Sequence, residues 1–561
     1  MCQRPALARA LCHFVVRATP FLACRALARM PSMPDPASTH GLHAAPYPDR
    51  EGRLGFYPAS TFELTTGADP AARLDASARY YFADQLVAVP RPRVPVADYT
   101  RGAGALKDLL EWTARPHPDT PAPPLVWIAS SRSFRGARVS RDGSAVTIDG
   151  SRYALALHPR LALNRSYFDA TSARYLARRS TTIRGELHGG TVIARSFWPE
   201  DYRLDLGALP PPDAGAPLTA MALRAHMRAS TDEFAARVLW RRSAAPSDAR
   251  PRAVVAFVVN GSQGDDDEAW GGHFAVCTGS LDASGRIDEL LVNNFYSPDV
   301  VSEKGILPAP LPLDRYQADL NSGQAWYRPS WLLVATLTDR AAAELVQGGF
   351  NRMYLQLWRH QLHYNHATMN CAGISIDVLR ALGLPVAARG PSTRLGAWLA
   401  IPHALIVQRS IERARLTYEY LTEDRTRLLP AVSFEECAAL LIRLAQGRET
   451  PRGRLAQLLA RDVETIALVD LPQLPSSRAR GAWPVASAGE YRRAIPSDPR
   501  KMKIIPLPPR PFPERLRDAD LLPAARRRSD LPLATWFALP ILGAAGYLLW
   551  RHANDRARRD H

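Results

Sequence analysis

The chain has 561 residues, with 71 Lys and Arg against 54 Asp and Glu, and a formal net charge of +17. Its length predicts more than one domain, and a hydrophobic content of 46% excludes a chain that is disordered throughout. The positive charge invites a nucleic-acid partner, but the arginines are spread out and do not alternate with aromatic residues. We therefore expect no nucleic acid. The six cysteines form no Cys-x-x-Cys pair, which argues against a disulfide framework.

The N-terminal part of the chain divides into three segments. Residues 1–30 contain five arginines, no acidic residue and short apolar runs, a composition typical of a targeting segment or a poor signal peptide. Residues 31–55 are rich in Pro, His and Ser and complete a targeting and linker segment. Residues 56–215 are predicted to be a separate accessory domain of mixed helices and strands, because short β-rich runs alternate with turns.

Residues 216–450 are predicted to be the catalytic domain, and its central feature is a helix that begins at Cys371. Asn370 is a good N-cap residue, and Gly383 followed by Pro385 marks the end of the helix. The unpaired N–H groups of a first helical turn favour an anion, so we expect the pKa of the Cys371 thiol to be lowered. A buried structural cysteine is the competing interpretation.

A β-hairpin upstream of this helix supplies a base. Its two predicted strands cover residues 272–279 and 286–295. If Leu281 pairs with Arg286, His273 lies directly opposite Asn294 on one face of the hairpin. A histidine oriented by a polar side chain is what a cysteine nucleophile needs. A register change of one residue would place Asn293 there instead.

The order of these groups carries a resemblance to a known family. A histidine on a strand, a polar residue on the next strand and a cysteine at a helix N-terminus resemble the circularly permuted branch of the NlpC-type papain-like superfamily. That branch includes proteins similar to lecithin:retinol acyltransferase. The pair Asn370-Cys371 and the ending Leu379-Arg-Ala-Leu-Gly383 also resemble it. The likeness covers roughly residues 250–385, and a long insertion between hairpin and cysteine departs from the pattern.

The resemblance implies an α+β fold in which an antiparallel sheet packs on the cysteine-bearing helix. It implies Cys371 as nucleophile, His273 as general base and Asn294 as the third group. The expected function is a cysteine hydrolase, an amidase or peptidase, that forms a thioester on a peptide, peptidoglycan or lipid ester substrate. The backbone N–H of Cys371 is a candidate oxyanion donor, and Asn365 a candidate side-chain donor. No cofactor and no metal are expected.

Three alternatives stay open. The same cysteine and histidine would serve a lipid or protein acyltransferase or esterase. A protein that keeps the papain-like core only for binding in the cell envelope is a second alternative. The third is a zinc hydrolase, since His360, His363 and His366 are spaced by three, although a polar approach to the cysteine helix explains them better.

The C-terminal part of the chain predicts a membrane protein. Residues 451–530 are predicted to be an extended linker rich in Pro and Arg. Residues 531–550 carry no charge, lie between arginines, and are just long enough to cross a hydrocarbon core of about 30 Å. The predicted protein therefore has a mixed N-terminal domain and a C-terminal transmembrane helix. It is anchored in a membrane by that single pass, with the catalytic domain in the periplasm.

Overall fold

The structure is a computed structural model. It describes residues 55–57, 77–82, 85–90, 109–114, 126–128, 132–158, 168–210, 233–242, 251–296, 306, 308–358, 362, 364–407, 410–476 and 479–504. The predicted targeting segment at 1–30 and the predicted membrane helix at 531–550 lie outside these residues.

The described strands form a four-stranded sheet of β1 to β4, a closed barrel of β5 to β9 and a seven-stranded sheet of β10 to β16. The strands are β1 Gly55–Tyr57, β2 Ser77–Phe82, β3 Gln85–Pro90, β4 Val126–Ile128, β5 Arg132–Val139, β6 Ala145–Ile148, β7 Ser151–Leu157, β8 Thr181–His188, β9 Thr191–Pro199, β10 Ala235–Arg241, β11 Arg252–Asn260, β12 His273–Leu281, β13 Leu291–Asn293, β14 Pro310–Pro312, β15 Ser330–Leu337 and β16 Val463–Leu471. The helices are α1 Ala170–Leu176, α2 Leu313–Ala318, α3 Ala341–Trp358, α4 Cys371–Ala381, α5 Arg394–Val407, α6 Ile411–Thr422, α7 Arg425–Leu428, α8 Pro430–Ala445, α9 Arg454–Asp462 and α10 Ala488–Ala494.

The seven-stranded sheet is the frame of the part of the fold that contains Cys371. Its order is β10-β16-β15-β11-β12-β13-β14, and all its neighbouring strands are antiparallel. Every residue of β15 is buried, because both faces of the sheet are covered there. The cysteine-bearing helix α4 packs on β12 and is flanked by α3 and α8, which pack on β11 and β12. The start of α4 is thereby fixed against the sheet.

Part of the segment predicted to be a linker is instead folded into this sheet. β16 lies between β10 and β15 and pairs with both. Further along, the Ser262 N–H donates to the Ala482 carbonyl at 2.7 Å, so the chain after β16 runs beside the loop that follows β11. The described residues from 451 to 504 therefore include a central strand of the seven-stranded sheet and a segment that packs beside it.

The barrel has the strand order β5-β6-β7-β9-β8, with β7 and β9 parallel and α1 between β7 and β8. Its core residues include Ile183 and Phe197. Leu320, Trp326 and Leu474, from the part of the chain that forms the seven-stranded sheet, complete the same core. The predicted accessory region is thus not a separate body at the barrel, because the two parts share buried apolar side chains.

The prediction of a membrane-anchored protein needs correction. Within the part of the chain that the structure describes, no helix is both long and apolar enough to cross a membrane. The longest of these helices, α3, has 18 residues and carries Glu344, Asn351 and Arg352. A membrane-spanning helix needs about 20 mostly apolar residues. This finding corrects the predicted fold and the single-pass membrane localisation as far as the described residues go, because none of their helices is a transmembrane helix and residues 531–550 lie outside them. The described fold is α+β.

Candidate active site

Cys371 is the first residue of α4. Asn370 precedes it with extended backbone, and its Oδ1 accepts the Gly373 N–H at 2.9 Å, which confirms the predicted N-cap. The Asn370 Nδ2 donates to the Leu428 carbonyl at 2.9 Å and ties the start of the helix to α7. Past the other end, Gly383 takes the left-handed backbone conformation that ends many helices, with φ +87°. Local capping thus places the cysteine at the helix start.

The Cys371 thiol is buried, with 5% of the residue exposed. Its sulfur accepts the backbone N–H groups of Phe274 and Ala372, and the Tyr364 hydroxyl also interacts with it. Burial raises the pKa of the thiol, and these hydrogen bonds and the charge of Arg328 oppose that rise. The expectation that the helix N-terminus lowers this pKa is therefore wrong, because the lost hydration of the thiolate outweighs the N–H groups.

His273 is the first residue of β12 and immediately precedes Phe274. Its Nε2 is buried and has no hydrogen-bond partner in the part of the chain that the structure describes. The pKa of the imidazole is lowered to about 3, first by burial and then by the charge of Arg328, and a side-chain hydrogen bond with Asn294 opposes both. The imidazole is neutral at pH 7, the form in which it can accept a proton.

Asn294 reaches His273 through a register that differs from the predicted one. Val276 pairs with Asn293, a shift of two residues from the predicted alignment. Side chains alternate with a period of two along a strand, so a two-residue shift keeps each residue on its predicted face. Asn294 stays on the face of His273, whereas Asn293 faces α3 and donates to the Gln347 Oε1 at 3.2 Å.

The structure therefore brings Asn294 to His273, and Cys371 to the residue that follows His273. The thiol and the imidazole do not form a hydrogen bond with each other. Both groups are neutral. Neither a thiolate nor an imidazolium is favoured in the free site, because burial opposes both charged forms.

The predicted oxyanion donor Asn365 is engaged in a tight turn. Its Oδ1 accepts the Ala367 N–H at 2.8 Å, and its backbone pairs with Met369. The preceding residue, Tyr364, instead interacts with both the backbone N–H and the thiol of Cys371. Burial raises the pKa of Tyr364 well above its usual value, so the hydroxyl keeps its proton and can donate. Local sequence does not show which of two adjacent polar side chains turns inward.

A row of polar residues that sequence reasoning missed crosses the sheet beside His273. Asn260, the last residue of β11, pairs with His273 on one side and with Ser330 on the other. Its Nδ2 donates to the Ser330 Oγ at 2.7 Å, and its Oδ1 accepts the Tyr316 hydroxyl. The Tyr316 and His273 rings lie 6.1 Å apart. In the sequence, Asn260 could have been noticed only as a polar residue at the end of the apolar run that forms β11.

The residues that the structure describes contain no group of three or more His, Cys, Asp or Glu placed to hold a metal ion. His360 and His363 lie outside the described residues. Comparison with protein families, with characterised proteins and with solved structures finds no match to this chain. The function is therefore argued from the site itself.

Proposed function

We propose that this protein is a papain-like cysteine hydrolase or acyl-transfer enzyme that works through a thioester at Cys371. One observation carries the proposal. Cys371 begins a capped helix and receives the N–H of Phe274, while the neighbouring His273 is paired with Asn294 and has an unpartnered Nε2. A nucleophile, a base and a group that orients the base are the three parts that covalent acyl chemistry requires.

In the first half of the reaction, the Cys371 sulfur attacks the carbonyl carbon of an ester or amide. His273 Nε2 takes the thiol proton as the carbon–sulfur bond forms, and the hydrogen bond with Asn294 favours the protonated imidazole. The oxyanion is stabilised by the Cys371 N–H and the Tyr364 hydroxyl. The imidazolium then returns its proton to the leaving alcohol or amine, and a thioester remains.

In the second half, water, an alcohol or an amine attacks the thioester. His273 removes a proton from this acceptor and returns it to the sulfur when the acyl group leaves. Water as acceptor gives hydrolysis, and an alcohol or amine gives acyl transfer. A peptide, a peptidoglycan fragment or a lipid ester all fit this chemistry, because it acts on the acyl carbonyl.

The neutral resting state has a consequence for reactivity. A thiol whose pKa is raised and an imidazole whose pKa is about 3 do not form an ion pair in the free protein. The thiolate is the form that reacts with alkylating reagents. Cys371 should therefore react slowly with iodoacetamide at neutral pH and faster as the pH rises past the usual range of a thiol.

The proposal is tested by turnover of a panel of p-nitrophenyl esters and anilides. Cys371→Ala should reduce the rate to that of buffer, because it removes the nucleophile. Cys437→Ala is the matched control, since Cys437 is also buried but lies within α8 and not at the start of α4. Equal rates for wild type and Cys371→Ala would overturn the proposal. A wild type that neither turns over nor acylates with any member of the panel would also overturn it, in favour of a binding protein.

A further inference from the structure

The short helix α2 connects the barrel to the candidate active site, and all its residues are buried. On the barrel side, Asp314 accepts from the Arg184 Nε at 2.6 Å, and both side chains are 0% exposed. Arg315 pairs with Asp319 at 2.8 Å, and Asp319 also pairs with Arg195 at 3.1 Å. Arg184 lies on β8 and Arg195 on β9. Buried ion pairs of this kind fix geometry, because separating the partners leaves an uncompensated charge.

On the other side, α2 takes part in a ring of hydrogen bonds that ends beside the base. The Tyr316 hydroxyl donates to the Asn260 Oδ1, and the Asn260 Nδ2 donates to the Ser330 Oγ at 2.7 Å. The Ser330 hydroxyl donates at 3.3 Å to the Gln317 Oε1, which leads back to α2. Asn260 is the cross-strand neighbour of His273. The ring thus links α2, β11 and β15 at the level of the imidazole.

We propose that α2 positions the general base: Tyr316 holds Asn260 and its own ring against His273, and the barrel holds Tyr316 in place through Arg184 and Asp314. Tyr316 is a positioning residue, because its hydroxyl is committed to Asn260 and does not reach the reacting atoms. Its effect on turnover rests on the proposed function. Its effect on the protonation of His273 does not.

The physical reason lies in the acceptor that Tyr316 occupies. The hydroxyl uses one of the two lone pairs of the Asn260 Oδ1 and, with the bond from Nδ2 to Ser330, fixes the orientation of the amide. Without the hydroxyl, the amide is free to turn its oxygen towards the imidazole across the strand pair and stabilise imidazolium, and the ring of residue 316 is no longer fixed. The charged group that acts on His273 is Arg328, the titratable groups around Tyr316 are Arg328, Cys277 and Cys371, and the substitution leaves all three in place.

The direct test is histidine NMR on the full chain of Tyr316→Phe. The chain has 14 histidines, and His273→Gln assigns the relevant imidazole signal. The titration is followed from about pH 8 to about pH 3, because the wild-type signal should titrate only near pH 3, whereas in Tyr316→Phe its midpoint should lie about one pH unit or more higher, a tenfold change in acid constant. The matched control is Tyr202→Phe, which removes another buried hydroxyl, one bonded to Tyr175. A His273 titration in Tyr316→Phe equal to that of wild type overturns the inference.

Steady-state kinetics test whether the barrel, through α2, affects the position of the base. With a p-nitrophenyl ester as substrate, Tyr316→Phe should lower kcat by about fivefold or more with little change in KM, because the base is misplaced. Arg184→Lys should cause a smaller loss in the same direction. The two losses should not add in the double variant, because both act on the position of Tyr316. Additive losses, or a fall in Tm with unchanged kcat, overturn the inference.

The outcomes separate the inference from the proposed function. If Cys371→Ala keeps full turnover while Tyr316→Phe still moves the His273 titration, the thioester mechanism fails and the positioning role stands. If turnover depends on Cys371 but Tyr316→Phe changes neither the titration nor kcat, the positioning role fails alone. The Tyr316→Phe variant alone tests the positioning role, even if variants of Arg184 do not fold.

Discussion

Two buried polar clusters in this protein differ in charge: one is an ion pair and the other is neutral. Where α2 meets the barrel, Arg184 and Asp314 are both 0% exposed and pair at 2.6 Å. Burial raises the pKa of Asp314 to about 6, and Arg184 opposes that rise, so the pair is ionised at neutral pH. At the candidate site, burial keeps Cys371 and His273 neutral, and the His273 Nε2 has no partner among the described residues.

The difference indicates a structural role for the ion pair and a chemical role for the neutral cluster. Buried charges that are fully paired hold two elements together, whereas a buried polar atom without a partner costs free energy and persists where another requirement keeps it. An unpartnered base beside a thiol fits a site that completes its hydrogen bonds only with substrate. The variants below test whether the two clusters respond in these two ways.

The largest effect is expected from the base. His273→Gln should reduce turnover by about 10²–10⁴-fold, since that is the usual contribution of a positioned general base. The free energy of unfolding at neutral pH should change little, because the replaced group is neutral. The measurement is the rate of ester turnover beside urea denaturation. His188→Gln, at the exposed end of β8, is the control and should match wild type. Unreduced turnover in His273→Gln would remove the histidine from the mechanism.

At the contact between α2 and the barrel, a substitution should lower the stability of the fold strongly, in contrast to His273→Gln. Arg184→Met leaves Asp314 buried without its cation and should lower the free energy of unfolding by about 3–5 kcal/mol. Arg443→Met is the control. It breaks a 2.9 Å pair with Glu449 in which the side chains are 42% and 35% exposed. Such exposed pairs contribute about 0–1 kcal/mol. Urea denaturation measures both, and equal losses would mean that the buried pair does not hold α2 to the barrel.

Adjacent asparagines offer a sharper comparison. Asn294→Ala should lower turnover by about tenfold, because the imidazole loses the group that orients it. Asn293→Ala should leave turnover unchanged but lower stability by roughly 1–2 kcal/mol, since it removes buried bonds to Gln347 and to the Val276 carbonyl. Turnover and denaturation are measured on both variants. A larger catalytic loss in Asn293→Ala would show that the wrong residue has been assigned to the base.

The last prediction concerns pH and stability. The pKa of His273 is about 3 in the folded protein, below its ordinary value of 6.5. Between these values the unfolded chain binds more protons, so stability is complete above about pH 6.5 and falls as the pH decreases towards 3, by up to about 1.4 kcal/mol per pH unit. Denaturation of wild type and His273→Gln at several pH values isolates this slope. Identical slopes in both proteins would show that His273 is not buried in its neutral form.

Local sequence predicted the parts of the site that depend on local chemistry. The helix begins at Cys371 because Asn370 caps it, and it ends at Ala381, just before Gly383. Asn294 lies on the same face as His273 in spite of a two-residue error in the predicted register, because the side-chain period of a strand is also two. A single sequence can thus predict where a helix begins and which face of a strand each side chain occupies.

Contacts between segments that are distant in the sequence could not be predicted in this way. β16 has an apolar, β-rich sequence, but the Pro-rich residues after it favoured a linker, and nothing local shows that it pairs with β10 and β15. The raised pKa of Cys371 depends on how deeply the thiol is buried, which is a property of the packed fold. Tyr316 and Tyr364 reach the site from the insertion between hairpin and cysteine. Their contacts arise only after the sheet, the barrel and α4 are assembled.

The thioester at Cys371 is the central claim, and trapping the acyl-enzyme tests it most directly. Wild type is mixed with p-nitrophenyl acetate, quenched in acid while the ester is still in excess, and analysed by intact mass and peptide mapping. The acyl group should be found on Cys371, should be released by hydroxylamine, and should be absent from Cys371→Ala but present in Cys437→Ala. Acylation that maps elsewhere, or that persists in Cys371→Ala, would contradict the mechanism.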